Sequence, residues 1–468
     1  MHRKSNGENQ IMSRFWQIAG IGLIGALWAA TSTASDVHSY ELNNGMKILI
    51  KEDRRAPVVA SMVWYKVGGS YEPSGLTGIS HVLEHMMFKG TEKHPPGEFS
   101  RIIAANGGRE NAFTGRDYTA YFQQLEAGRL EISFEMEADR MRNMKVLDEE
   151  FAKEVQVVME ERRLRTEDRP TSLTYERFNA AAYVTSPYHN PIVGWMDDLE
   201  NMTADDIRQW YNKWYAPNNA TLVVVGDIDP QATFELAKEY FGPLKADEIA
   251  TTKPRREIEQ KGERRIRVKT PAELPYLLMG YKTPNYTSAE QSWEPYALAV
   301  LSSIMDGGAS ARFARDLVRG KQVAASVGAS YDAFTRLDNM FLFDGKPAQG
   351  RTMEELENAI RDQIEQLQET LVSDAELSRV KAQVIAGDVY QKDSIFYQAM
   401  ELGMLTAIGL DWRLGETYAQ RINEVTAEQV REVARKYLIE DRLTVAVLDP
   451  LPIDTAQPRP AASTGGRH

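Results

Sequence analysis

Two segments of this chain, 223 positions apart, carry the same pattern of a helix followed by a strand. Residues 203–225 begin with a Thr and an amphipathic stretch and end in an apolar run, and residues 426–447 do the same. Earlier in each half, Tyr65-Lys66 and Tyr281-Lys282 lie on similar apolar runs, 216 positions apart. A chain of 468 residues is also too long for one ordinary core. We therefore predict an α+β fold of two homologous halves that arose by duplication.

A polar stretch in the middle of the chain separates the two predicted halves, and Thr251-Thr252-Lys253-Pro254 within it interrupts any regular element. The last residues are rich in Pro, Ala, Gly and Thr, which is typical of a disordered tail. The chain then divides into a leader, an N-terminal half, a linker, a C-terminal half and a tail. Their predicted bounds are 1–34, 36–245, 246–262, 263–453 and 454–468, in that order.

The leader has the pattern of a secretory signal peptide. Basic residues precede the apolar run 15–30, and Ser32-Thr33-Ala34 offers small residues for cleavage. We expect export, to the periplasm if the source is a Gram-negative bacterium. The alternative is an uncleaved anchor helix, since residues 15–34 could just span a bilayer. No later segment is apolar enough to do so, and we expect no stable membrane insertion once the signal is removed.

Net charge and cysteine content exclude several classes of partner and site. The formal net charge of −12 argues against nucleic acid and against an anionic membrane surface as binding partners. The chain has no Cys, which removes disulfides and thiolate metal sites. Any zinc must then be held by His and carboxylate side chains, a donor set typical of catalytic rather than structural sites.

The sequence between residues 81 and 85 reads His-x-x-Glu-His. On a helix, His81, Glu84 and His85 share one face. Two imidazoles one turn apart can bind one zinc ion, with the carboxylate beside the metal, in the inverted form of the His-Glu-x-x-His zinc helix. Random placement of the seven His would produce roughly 0.015 such matches in this chain. The alternative is a helix with two partly exposed His and a solvated Glu.

Zinc held by two His needs a third protein ligand, which leaves a fourth position for water. The predicted helix 148–165 supplies acidic candidates, of which Glu154 and Glu161 are seven apart and share a face. Spacing alone does not choose between them, because acids on a helix commonly form a solvated face.

In this motif and in the acidic helix that follows it, the chain resembles the pitrilysin/insulinase family of zinc metallopeptidases. In that family the inverted motif is followed some 75 residues later by a ligand Glu on a helix. Here Glu161 follows His85 by 76 residues. The length and the single pair of halves are most similar to the mitochondrial processing peptidase branch and its bacterial relatives. Further similar stretches are Phe88-Lys89-Gly90-Thr91, Asn111-Ala112-Phe113-Thr114, Pro187-Tyr188-His189 with Gly194, and 393–409.

The resemblance implies peptide hydrolysis with one Zn²⁺ per chain. It implies that His81, His85 and Glu161 are the metal ligands and that Glu84 is the general base. Glu154 is then expected to orient a ligand His. Residues 111–125 alternate and are rich in Thr, Tyr and Phe, which predicts a strand. The resemblance implies that this strand is the edge to which a peptide substrate adds as an extra strand, in contact with Asn111 and Ala112. Ordinary strand packing is the alternative for these two residues.

The second half departs from the family pattern. Single-chain members use an Arg and a Tyr, seven apart, to hold the substrate and stabilise the oxyanion. Aligned without gaps, those positions here are Val318 and Ala325. Arg319 could substitute through a one-residue shift, but the nearest following Tyr is Tyr331. We therefore expect a homologous partner subunit without the zinc motif to supply the missing Arg and Tyr.

Three functions are compatible with these features of the sequence. The first is a zinc endopeptidase subunit that works with the zinc-less partner, and the second is a self-sufficient homodimeric peptidase. The third is a non-catalytic scaffold or assembly subunit of the same fold. The intact His81, Glu84, His85 and Glu161 argue against the scaffold.

Overall fold

A computed structural model describes residues 36–249, 253 and 255–453 of the chain. The predicted signal peptide 1–34 and the predicted tail 454–468 lie outside the described residues. The fold is α+β, with one sheet formed by the first part of the chain and one by the second. The strands of the first sheet are β1 (Val37–Glu41), β2 (Lys47–Glu52), β3 (Val58–Tyr65), β4 (Arg109–Thr114), β5 (Thr119–Glu126) and β6 (Ala220–Gly226). Those of the second are β7 (Arg264–Pro271), β8 (Tyr276–Thr283), β9 (Ala324–Ser330), β10 (Asn339–Pro347) and β11 (Leu443–Leu451).

The helices account for most of the remaining described residues. They are α1 (Ile79–Met86), α2 (Glu98–Ala105), α3 (Leu130–Asn143), α4 (Asp148–Arg162), α5 (Pro170–Ala182), α6 (Met196–Asn201), α7 (Ala204–Trp214), α8 (Pro230–Phe241), α9 (Glu294–Asp306), α10 (Met353–Glu369), α11 (Asp374–Gln391), α12 (Ile395–Ala407), α13 (Leu414–Glu424) and α14 (Ala427–Tyr437). Two π-helical segments, Arg163–Glu167 and Phe313–Gly320, continue from the helical residues before them. None of the described helices is both long enough and apolar enough to cross a bilayer.

The two sheets have the same topology. The first has the order β1-β2-β6-β3-β5-β4 and the second β7-β11-β8-β10-β9. In both, a parallel pair (β2 with β6, β7 with β11) adjoins a series of antiparallel pairs. Only β1 lacks a counterpart among the described strands. The prediction of two homologous α+β halves is confirmed; the exact domain boundaries stay a prediction.

Strand register preserves the spacing of the sequence repeat. Tyr65 pairs with Ala220 in the first sheet, and Tyr281 pairs with Leu443 in the second. The two tyrosines are 216 positions apart and their partners 223, the same offsets that the sequence shows. The preceding helices also begin alike, because Thr203 and Thr426 each close a capping box, with Asp206 and Gln429 respectively.

The predicted strand 111–125 is wrong in one respect: it is a hairpin of two strands, β4 and β5, joined by residues 115–118. Gly115 donates its backbone N–H to the carbonyl of Tyr118 and closes the turn at 2.8 Å. A Cβ at Gly115 would lie 2.8 Å from the Tyr118 ring, so the tight turn favours glycine. The alternating pattern continues into the turn because Tyr118 packs in the same apolar cluster as Ala120 and Phe122.

Each half covers one face of the other half's sheet with a helix. Helix α12 packs on β3 and β6 of the first sheet, while α5 packs on β11, β7 and β8 of the second. At the first contact, a Cβ on Gly403 would lie 2.1 Å from the indole Nε1 of Trp64. At the second, a Cβ on Gly280 would lie 2.5 Å from the Phe178 ring. Trp64 and Gly280 are 216 positions apart, so the large residue lies on the sheet in one half and on the helix in the other.

We expect Gly403→Ala to destabilise the protein, because the buried Trp64 ring leaves no room for a methyl group. Overpacking of a core typically costs about 1–3 kcal/mol, which exceeds the gain of about 1 kcal/mol in helix propensity. Urea unfolding measures the change. Gly387→Ala is the matched control, since Gly387 lies in α11 with open space around it and should gain the helix propensity alone. Equal stabilisation by both substitutions would contradict the close packing at Gly403.

Candidate metal centre

Two features fix the position of helix α1: its apolar face is buried, and a carboxylate binds its N-terminus. Ile79, Val82, Leu83 and Met86 are all buried in the first core. Glu72 accepts hydrogen bonds from the backbone N–H groups of Gly78 (2.7 Å) and Ser80 (2.9 Å), which lack partners within the helix. Burial raises the pKa of Glu72 to about 7, although these two donors favour its ionised form.

Gly78 precedes α1 in the left-handed region, with φ of 86°. A Cβ there would lie 2.6 Å from the carbonyl oxygen of Val193, so the backbone approach at this point requires glycine. The start of the motif helix is therefore fixed against the 191–194 loop as well as by Glu72.

Three donor groups from α1 and α4 come together at one point. The Nε2 atom of His81 lies 3.7 Å from Oε1 of Glu161, and Nε2 of His85 lies 3.6 Å from Oε2 of the same carboxylate. Donor atoms of the three residues all lie within 4.8 Å of one another. Ligands about 2.0–2.1 Å from a tetrahedral zinc are separated from each other by about 3.3 Å. The two His–Glu161 separations are within about 0.4 Å of this value, so the cluster fits a zinc ion after the donors draw together. Among the described residues it is the one such group.

Burial shifts the pKa values of His81 and Glu84 in opposite directions. It lowers the pKa of His81 to about 3, so its imidazole is neutral at pH 7 and carries a free lone pair. Burial raises the pKa of Glu84, against a hydrogen bond that Thr114 Oγ1 donates to Glu84 Oε2 at 2.6 Å. Glu84 lies on the same face of α1 as the two His, as the spacing predicts.

Glu154, the other acidic candidate on α4, contacts the Nδ1 atom of His85. Nδ1 of His85 lies 3.3 Å from Oε2 of Glu154, and Lys89 Nζ lies 2.6 Å from Oε1. Hydrogen bonds from the His and Lys outweigh burial and lower the pKa of Glu154. An ionised Glu154 fixes the His85 tautomer with Nε2 free for a metal. Nδ1 of His81, by contrast, is buried and has no hydrogen-bond partner among the described residues.

Three contacts of the centre were absent from the sequence prediction: those of Thr114, Lys89 and Arg165. Arg165 forms an ion pair with Glu161 from the π-helical turn that follows α4. Its spacing of four residues from Glu161 is a signal that could have identified it. The contacts of Lys89 with Glu154 and of Thr114 with Glu84 each join two distant segments and have no local signal.

The edge strand β4 runs past the centre. No described strand pairs with its outer side. Asn111 is exposed on it and Ala112 is half-buried. Asn111 also lines a cavity of about 350 Å³ with Glu84, His85 and Phe88. The open edge and the cavity beside the metal donors are both available to an extended peptide.

The second half carries no equivalent centre. The buried residues of α9 repeat those of α1 at an offset of 218, from Ala297 to Met305. At that offset, Ala299, Ser302 and Ser303 occupy the positions of His81, Glu84 and His85. None of these three side chains is a zinc ligand of the usual kind.

Two family models match this chain. Residues 47–194 match the family described as "Insulinase (Peptidase family M16)", and residues 201–384 match the "Peptidase M16 inactive domain". A zinc protease of Helicobacter pylori named PqqE is 36% identical over 362 residues, which cover 76% of this chain and 80% of that protein. This chain belongs to the pitrilysin/insulinase family of metallopeptidases, M16.

Solved structures of M16 proteins show the same fold. A crystal structure of a protease from Helicobacter pylori has a TM-score of 0.83 and 32% identity, and covers 88% of this chain and 99% of that one. The first half of the periplasmic protease PqqL from Escherichia coli has a TM-score of 0.74 at 21% identity, and covers 88% of this chain and 92% of that one. The family resemblance predicted from the His-x-x-Glu-His motif is confirmed.

We expect His85→Ala to abolish tight zinc binding, because it removes one of two imidazoles from a three-donor cluster. Isothermal titration of the metal-free protein with zinc, with atomic absorption for stoichiometry, measures the loss. His94→Ala is the matched control, since His94 contacts Glu98 at 3.2 Å and lies outside the cluster. Unchanged zinc affinity in His85→Ala would mean that the metal binds elsewhere.

Proposed function

We propose that this M16 protein is a zinc-dependent endopeptidase that hydrolyses peptides. His81, His85 and Glu161 hold one zinc ion, and Glu84 is the general base. The observation that carries this proposal is the approach of Glu161 to both imidazoles, at 3.7 and 3.6 Å, with Glu84 on the same helix face. The zinc-protease names of relatives such as PqqE support it.

The chemistry divides between the metal and the side chains around it. Bound zinc supplies a Lewis acid that activates water and polarises the scissile carbonyl. Glu84 takes the proton of the attacking water and later delivers it to the leaving amine. Thr114 holds Glu84 Oε2 and favours its ionised form, in which it can accept that proton. Glu154 orients His85, and Lys89 in turn holds Glu154.

The substrate is a peptide in extended form, which adds to the open edge of β4. Backbone groups of β4 supply hydrogen bonds to it, and Asn111 and Ala112 contact it. The cavity beside Glu84 and Phe88 then receives a side chain next to the scissile bond. This mode of binding fits hydrolysis of unfolded or flexible segments, because a segment must be free to take up an extended form before its backbone can pair with β4.

A homologous partner that lacks the zinc motif is the proposed source of the missing Arg and Tyr. The two candidates in this chain are engaged elsewhere: Arg319 donates to the carbonyl of Ala309 at 2.6 Å, and Tyr331 donates to that of Pro284 at 2.7 Å. The alternative is a self-sufficient homodimer. The two differ in whether the purified chain cleaves peptides alone or only after a zinc-less homologue is added.

The proposed location is the periplasm. It rests on the signal-peptide pattern of residues 1–34. The structurally similar PqqL is described as periplasmic, which agrees with this proposal.

Glu84→Gln should abolish peptide hydrolysis and leave zinc bound, because it removes the proton acceptor and none of the three donors. Cleavage of a quenched fluorescent peptide library, with zinc content measured in parallel, tests both parts. Glu160→Gln is the matched control, since Glu160 is exposed on α4, outside the donor cluster, and pairs with Arg163. Full activity in Glu84→Gln would exclude Glu84 as the general base. If the unmutated chain bound zinc but cleaved no peptide, even with its partner present, the scaffold function would be favoured.

Thr114→Val should move the acid limb of the kcat/KM profile to higher pH. The Thr114 hydrogen bond lowers the pKa of Glu84, so its loss raises that pKa, and the base is ionised only above it. A hydrogen bond to a charged group is worth about 1.5–3 kcal/mol, which corresponds to a move of about one to two pH units. Activity well above the limb should change little. An unmoved limb would mean that another group controls it.

A further inference from the structure

Two cavities meet at the end of the candidate substrate strand. The first, of about 400 Å³, lies between α5 and residues 189–193. The second, of about 470 Å³, is lined by both halves of the chain. Arg116, Tyr175 and Ile192 line both, so Arg116 borders each of the two cavities.

Arg116 forms no ion pair with a carboxylate among the described residues, although Asp117 and Asp332 lie near enough for their charges to act on it. Its guanidinium lies over the ring of Tyr188, 4.8 Å from the centroid, and makes no ion pair within the described part of the chain. The carboxylate of the neighbouring Asp117 is engaged by Ser70, Tyr188 and Arg336. A sheltered cation without a carboxylate partner is costly, and sites that keep one commonly use it to bind an anion.

The first cavity has an excess of positive charge. The carboxylate of Glu176, which lines it, accepts two hydrogen bonds from Arg162, at 2.7 and 3.1 Å, and is neutralised there. Burial lowers the pKa of His189, which keeps that imidazole neutral at pH 7. The remaining polar lining includes the hydroxyls of Thr171 and Ser172, which can donate to an anion.

The second cavity fits an anion less well, because Asp332 lines it. The Asp332 carboxyl accepts a hydrogen bond from the backbone of Phe334 at 2.9 Å, and burial raises its pKa. Any residual negative charge on Asp332 would repel an acidic group. The first cavity is therefore the side from which an anion would approach Arg116.

The first cavity and the candidate metal centre are built on the same segments of the chain. Thr114, which holds Glu84, is two residues before Arg116, so their Cα atoms are at most about 7 Å apart along the chain. On the other side, Thr166 lines the first cavity five residues after Glu161. A peptide extended along β4 past Glu84 would thus bring a side chain to Arg116 within a few residues of the scissile bond.

We propose that Arg116 forms a specificity subsite for a carboxylate of the peptide, an Asp or Glu side chain within four residues of the bond that is cut. The inference rests on the proposed peptidase function and adds to it a preference for acidic substrates. The planar guanidinium suits a two-point hydrogen bond to a carboxylate, and the hydroxyls of the cavity add donors.

The test uses peptides with blocked ends that differ only by Glu against Gln, placed at each of the four positions on either side of the scissile bond. At one position, the full chain (with its partner where one is required) should cleave the Glu peptide at least about tenfold more efficiently in kcat/KM. Arg116→Gln should bring this ratio close to one, and Arg116→Lys should keep part of it. Arg177→Gln is the matched control, because Arg177 is exposed on α5 and lines neither cavity.

A second measurement separates this proposal from the proteolytic one. Dissociation constants of the same peptides for the Glu84→Gln chain, measured by fluorescence anisotropy, should show the same preference and the same loss with Arg116→Gln. An additional pair with free and amidated C-termini tells a side-chain carboxylate from a terminal one.

The outcomes differ for the two proposals. Absence of cleavage with the binding preference intact would overturn the peptidase function alone. Equal binding and cleavage of Glu and Gln peptides, or a preference that persists in Arg116→Gln, would overturn the subsite alone. A preference confined to the free C-terminus would also overturn the side-chain subsite. Zinc content and thermal unfolding of each variant establish that it is folded.

Discussion

The packing of α1 against α4 is the contact on which the candidate centre depends. The apolar face of α1 fixes its rotation, so that His81 and His85 can point only toward α4. Phe151, Val155 and Val158 pack α4 into the same core and direct Glu154 and Glu161 toward the two imidazoles. The position of the donor cluster therefore follows from the packing of the two helices into the core.

The same scaffold in the second half keeps the packing and loses the donors. Helix α9 repeats the buried positions of α1, with Ala and Ser where the His and Glu would be. Packing and metal binding are thus separable on this fold, because the apolar residues and the donors occupy different faces of one helix. A duplicated chain could in this way keep two cores and one centre.

Much of this arrangement was accessible from the sequence, and for definite reasons. The motif spacing gave the shared face of His81, Glu84 and His85, and the capping Thr203 and Thr426 marked where repeated helices begin. The hairpin turn at Gly115 was missed because alternation of apolar residues continues through it. The contact of Thr114 with Glu84 and the covering of the first sheet by α12 join residues far apart in the chain, and no local pattern encodes such pairs.

The exchange of covering helices between the halves has a consequence for assembly. Each sheet has one apolar face that a helix of the other half covers, with Trp64 against Gly403 on one side and Phe178 against Gly280 on the other. Neither half is therefore a self-contained folding unit, and translation must reach α12 before the first sheet is shielded on both sides. Until that point the nascent chain exposes an apolar sheet face, which is the kind of surface that aggregates and that chaperones bind.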